Sequence, residues 1–458
     1  MFAVGSGCPI LGRMSVSPSL PQRRILGLIF LTVFMDIVGF SILIPLFPQL
    51  LHHYIGTEGA AGTLVGALNS AAEWMGGDTV FKKAVLFGGL LSTLYSLLQF
   101  IFSPIWGALS DRIGRRRVLT ITLAGNALSY LVWIFAAQFW VVILTRLVCG
   151  MMAGNIAVAS AAAADVTDEK NRIKGMAVVG IAIGLGFVFG PVIGGLTAEV
   201  KFANLATTGS FGLNPFSVPA LCAGAMALLN FILVWRFFPE TLAPERRAHA
   251  DAKRPSIFDL ATVSSAPVRR ASLANLIYQI AFTGMENTIV FLTLALFAYS
   301  PRDNAWLFLF NGACMIVAQG LARRFTTRLG QRRVTMLGMS LAIAGFLVVA
   351  VIPHALAGPG DQHLLCFYLG LGLISFATGL ILPSISALVS LYSGVTEQGR
   401  NLGILRSAGS LARVIGPISA ALLYFHFGSH FWVYIGGAAL MLPALWAVKG
   451  LPDPVSEA

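Results

Sequence analysis

Charge is scarce in this sequence: only 11% of its 458 residues are Asp, Glu, Lys or Arg. Soluble domains carry about 25%, so a surface of this composition faces something other than water. Cysteine is also rare. Cys8, Cys149, Cys222, Cys314 and Cys366 are odd in number, and four of them fall in apolar runs, which argues against a disulfide framework. No His or Cys spacing fits zinc and no phosphate-binding loop is seen. No nucleophile–base arrangement points to an enzyme. Neither a metal nor a cofactor is expected. Residues 1–24 lack a long apolar stretch with a cleavage site, so no cleaved signal peptide is expected, and there is no lipidation motif.

Apolar length is what the chain has. It is 57% hydrophobic with mean hydropathy +0.80. Several runs reach the roughly 18 residues that cross about 30 Å of hydrocarbon. The short alternating segments of a membrane β-barrel are absent. Twelve spans are predicted near 25–51, 85–106, 118–138, 140–164, 175–198, 217–238, 272–299, 304–322, 334–353, 364–393, 402–425 and 430–448. The expected fold is an all-α membrane protein embedded in a lipid bilayer.

The bases set the expected orientation. Of 31 Lys and Arg, 25 fall on the side of the termini, four on the other side (Lys82, Lys83, Lys201, Arg302), and Arg146 and Arg413 inside spans. The positive-inside bias predicts cytoplasmic termini, in the plasma membrane or an internal one. It also explains the +12 charge without invoking nucleic acid. Residues 239–271, rich in Pro, Ala and charge, divide the spans six and six and read as a cytoplasmic linker. The expected organisation is a tail at 1–24, six-helix bundles at 25–238 and 272–449, and a tail at 450–458. The other long loop, 52–84, carries Glu73, Trp74 and Asp78 on the opposite side.

The halves repeat weakly. DRIGRRRV at 111–118 recurs as TRLGQRRV at 327–334, an offset of 216, while Asp36 and Glu286 lie 250 apart. The difference of 34 is about the extra length of the 52–84 loop. Two pseudo-symmetric bundles of common design are predicted, with a site between them near the midplane.

Three motifs stand out. GALSDRIGRRRVL at 107–119 contains Gly107, Asp111, Arg112, Gly114, Arg115 and Arg116. Gly107 permits close helix approach, Asp111 can meet a helix N-terminus or a base, and the arginines can meet acids or lipid headgroups. LTRLVCGMMAGN at 144–155 spaces Arg146 and Gly150 as R-x-x-x-G. GIAIGLGFVFGPVIGG at 180–195 places Gly180, Gly184, Gly186, Gly190 and Gly194 for close packing, and Pro191 to bend the helix.

Together these motifs resemble those of the major facilitator superfamily over nearly the whole chain from about residue 25. The first resembles its signature loop and the third its drug–proton antiporter motif. The spacing of Asp36, Gly39, Pro45 and Pro48 resembles tetracycline exporters. VLFGGLLSTLYSLLQF, FTGMENTIVFLT, IVAQGLARR and LRSAGSLARVIGP resemble the tetracycline-transporter-like branch linked to organic anion efflux. The bacterial exporters carry an acid on span 3 where this chain has Ser129, so the resemblance does not extend to tetracycline as substrate. It implies alternating access by two six-helix bundles and a secondary transporter.

Four ionisable residues fall deep in spans: Asp36, Arg146, Glu286 and Arg413. Their charges cancel, which predicts mutual compensation as fixed salt bridges, or a carboxyl that exchanges a proton while an Arg meets an anionic substrate. Gln279, near Glu286, is expected to line an amphipathic cavity. Asn155, Asn275, Tyr278, Asn287, Asn311 and Gln319 are expected as interhelical glue. Arg406 reads as a loop or lipid contact, and His426 and His430 as surface residues. The expected function is proton-coupled efflux of organic anions or amphipathic drug-like compounds by a monomer, driven by a proton gradient. Facilitated transport or metabolite uptake is the nearest alternative, and a non-transporting sensor or scaffold a more distant one.

Overall fold

The computed structural model describes residues 20–59, 62–75, 79–167, 172–200, 212–242, 265–355, 361–393 and 398–452. It is helical, and among the described residues twelve helices are long and apolar enough to cross a membrane. In order they are Gln22–Glu58, Val80–Ile113, Arg115–Ile134, Phe139–Asp165, Val178–Thr197 and Ser217–Phe237 in the first half. The second half has Ala266–Phe297, Pro301–Ala322, Gln331–Ile352, His363–Leu391, Asn401–Phe427 and His430–Lys449. They are numbered spans 1 to 12. An even number puts the start of span 1 and the end of span 12 on one side, called the basic face.

Lipid exposure accounts for the scarcity of charge. Leu128, Trp235, Leu365 and Trp446 are among many large apolar side chains left exposed. In lipid these contribute no burial between helices, so association rests on close packing and buried hydrogen bonds. The two halves pack alike. Span 1 packs on spans 5 and 6, and span 7 on spans 11 and 12; span 2 meets span 11 across the interface, and span 5 meets span 8.

The repeat is visible in the backbone. Gly114, between spans 2 and 3, has φ +103°, and Gly330, between spans 8 and 9, has φ +80°. A side chain is strained at such angles. Each glycine ends one helix and accepts the first bond of the next: Gly114 N–H donates to Ser110 O and Gly330 N–H to Thr326 O. Val118 N–H and Val334 N–H then donate back to the glycine carbonyls.

Two spans of the first half are broken. Span 1 is α-helical over Leu20–Ser41, passes through a 3₁₀ turn at Ile44–Leu46, and resumes over Phe47–Glu58. Pro45 and Pro48 lack the amide hydrogens an unbroken helix would use. Span 4 is helical over Phe139–Met152 and again over Asn155–Asp165. Its break falls at Gly154, where the Trp106 ring leaves no room for a side chain. Much of the expected 52–84 loop is helix: span 1 runs on to Glu58, and Leu64–Trp74 is a separate helix capped by Thr63. Lys83 pairs with Glu73 at 2.6 Å. Asp78 lies outside the described residues.

The halves meet unevenly. Toward the side away from the basic face the contacts are close. A methyl group added at Gly89 would fall 2.4 Å from Ala421 Cβ, and at Gly195 2.1 Å from Pro301 O. Gly312 is equally closed by Val188. Toward the basic face, Gly180 and Gly184 of span 5 and Gly320 of span 8 have nothing within 4 Å of such a group. Spans 5 and 8 therefore diverge toward the basic face, and the molecule is open on that side.

Candidate functional site

Residues from both halves converge on a cavity of about 50 Å³ near mid-span. Phe40 and Phe47 of span 1, Ser92 and Tyr95 of span 2, Arg146 of span 4 and Phe187 of span 5 come from the first half. Thr283, Glu286 and Asn287 of span 7 and Arg413 of span 11 come from the second. Ser92 Oγ donates to Asn287 Oδ1 at 2.6 Å, and Thr93 Oγ1 to the Val414 carbonyl at 3.2 Å, closing the halves beside the cavity.

Arg146 is buried, at 2% exposure. It makes no ion pair among the described residues, and its Nε and Nη2 have no hydrogen-bond partner. Its guanidinium instead sits 5.1 Å from the Trp133 ring centroid and 5.6 Å from that of Tyr130. Cation–π attraction of this kind replaces part of the lost hydration without neutralising the charge. The close crossing of spans 2 and 4 places it: Gly150, one turn on, lies against the Tyr95 carbonyl.

Glu286 and Arg413 face the same cavity and lie within electrostatic reach of each other. No N–O contact within 4 Å joins them among the described residues. Arg413 Nη2 donates instead to Ser410 Oγ at 3.1 Å. The cavity is thus lined by two arginines and one glutamate, an excess of bases over acids.

Asp36 is not among the residues that line it. Asn126 Nδ2 of span 3 and Asn155 Nδ2 of span 4 each donate to Asp36 Oδ1 at 2.9 Å. Asn155 is the first residue of the resumed span 4 helix, so that helix's positive end also faces the acid. The Asn155 Oδ1 accepts from Thr122, completing the cluster. Compensation between two acids and two arginines is therefore not what the structure shows. Asp36 is held by amides, Arg146 by aromatic rings, and only Glu286 and Arg413 share a space. Tyr95 stands between, in the field of Asp36, Arg146 and Arg413.

Gln279 lies outside the cavity lining. It packs on Gly409 of span 11 and donates to Asn275 Oδ1 at 3.3 Å. Ser129 donates to the Thr145 carbonyl at 2.8 Å and accepts from Cys149, tying span 3 to the turn before Arg146. Two further expectations are corrected. Arg406 reaches neither loop nor lipid: its Nη1 donates to Ser160 Oγ of span 4 at 3.1 Å, across the two halves. His430 is buried, at 6% exposure, with its ring 4.3 Å from that of Tyr424, because span 12 begins there against span 11. His426 is exposed as expected.

The signature loop forms an ion-pair network on the basic face. Arg115 Nη1 meets Asp111 at 2.5 Å, and its Nε meets Asp165 of span 4 at 2.9 Å. Arg115 Nη1 also donates to Ser110 Oγ, and Ser110 to the Gly107 carbonyl. Arg116 donates to the Trp235 carbonyl, and Arg112 is exposed. The acid at the N-terminus of span 3 is Glu240, whose Oε1 accepts from Arg115 N–H at 2.9 Å and Leu242 N–H at 3.1 Å. Sequence reading missed Glu240 and Asp165. Glu240 follows Pro239 at the end of span 6, within the expected linker, and only the fold brings it to span 3. The rest of that linker, 243–264, lies outside the described residues.

On span 5, Gly190 and Gly194 lie against span 1, where an added methyl group would meet Ser41 Oγ at 1.9 Å and Ile42 O at 2.1 Å. Pro191 sits between them inside an unbroken helix. Gly180 and Gly184, expected in the same tight packing, face open space instead, because spans 5 and 8 diverge there.

The major facilitator superfamily profile matches residues 29–301 and 274–458. Major facilitator superfamily domain-containing protein 10 of Bos taurus is 32% identical, covering 95% of this chain and 96% of its own length. The class E tetracycline resistance protein of Escherichia coli is 28% identical, over 93% and 94% of the two chains. The crystal structure of the human organic anion transporter MFSD10 superposes with a TM-score of 0.72 at 28% identity, over 93% of this chain and 99% of that one. The chain belongs to the major facilitator superfamily.

Proposed function

We propose that the protein exports organic anions or amphipathic drug-like anions across its membrane by alternating access, in exchange for protons. The observation that carries this reading is the cavity's charge: Arg146 and Arg413 against Glu286 alone, with the Arg146 guanidinium buried and unpaired. An anion is the ligand that relieves that excess at low dielectric. The aromatic lining of Phe40, Phe47, Tyr95 and Phe187 suits its apolar body. The relatives agree in kind, being a human organic anion transporter and tetracycline resistance proteins.

Charge also bears on which acid would carry the exchanged proton. In the cavity an anion and a proton on Glu286 favour each other, since each cancels the other's repulsion. Co-binding of that sign supports cotransport, not exchange. A proton that alternates with the anion is better carried by an acid held apart from it, where this co-binding is weaker. Asp36, held away from the cavity lining by Asn126 and Asn155, fits that requirement.

The test is reconstitution of the full chain in proteoliposomes with a fluorescent aryl carboxylate, with and without a proton gradient. Asp36→Asn is expected to lose gradient-driven flux by about tenfold or more, the scale of an essential proton-transfer group, while keeping anion counterflow. Arg413→Gln is expected to lose both. Gradient-driven flux retained in Asp36→Asn removes that acid from the coupling. Flux of cations but not anions overturns the substrate reading.

A further inference from the structure

We propose that Arg406 forms a second anion subsite, between the halves on the basic-face side of the cavity, that takes the carboxylate or sulfonate of an entering substrate before Arg413 does. This rests on the anion reading above. Arg406 and Arg413 are seven residues apart on span 11, so they share one face about 10.5 Å apart along the axis. Ser410 stands between them on that face. It accepts from Arg413 Nη2 and donates to the Arg406 carbonyl at 3.3 Å.

Arg406 is exposed although it lies inside a span. It is not turned to lipid, because its guanidinium meets Ser160 of the opposite half. That places it in the gap between the halves, on the side where Gly180, Gly184 and Gly320 leave open space. It makes no ion pair among the described residues. An arginine inside a span is costly to keep without a counter-ion, and a serine hydroxyl is a neutral partner that an incoming anion displaces without stranding a buried charge. Of the hydrogen bonds described between the halves, Arg406–Ser160 is the one on the basic-face side of the cavity. The bond to Ser160 uses one N–H of the guanidinium's five, and an anion that takes Nη1 competes with Ser160 for it, so that binding loosens the inner contact.

The experiment measures initial flux of a fluorescent naphthalene sulfonate into proteoliposomes, with the probe offered on the basic face or on the opposite face. Arg406→Gln is expected to raise KM from the basic face by about tenfold, the scale of one charge-assisted contact, with Vmax and the opposite-face KM little changed. Arg406→Lys keeps the charge and is expected to keep most of the affinity. Ser160→Ala removes the competing partner and is expected to lower KM or leave it alone. An unchanged KM in Arg406→Gln, or an equal loss of Vmax from both faces, overturns the subsite. So does a Ser160→Ala variant that reproduces Arg406→Gln, since that makes Arg406 a latch only. Should Arg406→Gln fail to reach the membrane, a basic-face KM for Arg406→Lys that does not rise with salt overturns it too. Absence of sulfonate and carboxylate flux in the unsubstituted protein overturns the anion reading itself.

Discussion

Asp36 marks how far a residue can be read in isolation. An acid in an apolar run announces itself, and the sequence singles out Asp36, Arg146, Glu286 and Arg413 together. Their partners do not announce themselves. Asn126 and Asn155 are 90 and 119 positions from Asp36; Asn155 reads only as interhelical glue, and Asn126 does not stand out among polar helix residues. Glu240 is hidden for the same reason. Because it accepts the Arg115 N–H at the start of span 3, as well as the nearby Leu242 N–H, Glu240→Ala is expected to cost about 1 kcal/mol, as loss of a helix cap does. Thermal unfolding of the purified protein reads this as a drop in Tm, with Glu240→Gln falling less. An unchanged Tm would show that water replaces the carboxylate at no cost.

At the scale of elements, the twelve spans are legible because hydropathy alone determines which segments enter lipid. The break in span 1 falls at Pro45 and Pro48, which in the sequence serve only as spacing that resembles a family. The break at Gly154 is not legible, because it depends on the Trp106 ring arriving from span 2. Span 5 shows the same limit. Its glycines look equivalent in sequence, yet the fold divides them. Gly190→Leu is expected to disrupt packing on span 1 and reduce the folded yield in the membrane. Gly184→Leu is expected to fold normally, since it faces open space, and to cut flux by blocking the approach of spans 5 and 8. Comparing yield with flux separates the two. Equal yields for both variants would show that the Ser41–Gly190 contact does not carry the packing of spans 1 and 5.

For the whole molecule, the offset of 216 between the DRIGRRRV and TRLGQRRV loops is sound evidence of two like halves, and Gly114 and Gly330 bear it out with matching backbone. Which way the halves lean is absent from the sequence. Both leanings use the same spans, and differ only in which ends of spans 5 and 8 touch. Cysteine placed at 184 or 320, with the native cysteines replaced, is expected to react with an impermeant maleimide from the basic face. Cysteine at 195 or 312 is expected to be protected. Labelling of 184 in permeabilised but not in intact cells would also place the basic face on the cytoplasmic side. Protection at all four positions would mean that the open state is not the resting one.

The central cavity is about 50 Å³, whereas pockets that enclose drug-sized ligands run to about 300–1,000 Å³. A substrate of that size does not fit the central cavity as it stands, open though the molecule is toward the basic face. The bundles must swell around it and shrink again on release, and their outer walls are in contact with lipid tails. Each transport cycle is therefore a small pump stroke against the lateral pressure of the bilayer. Larger substrates do more of that mechanical work, so turnover should depend on the stiffness of the membrane that holds the protein as well as on its own side chains.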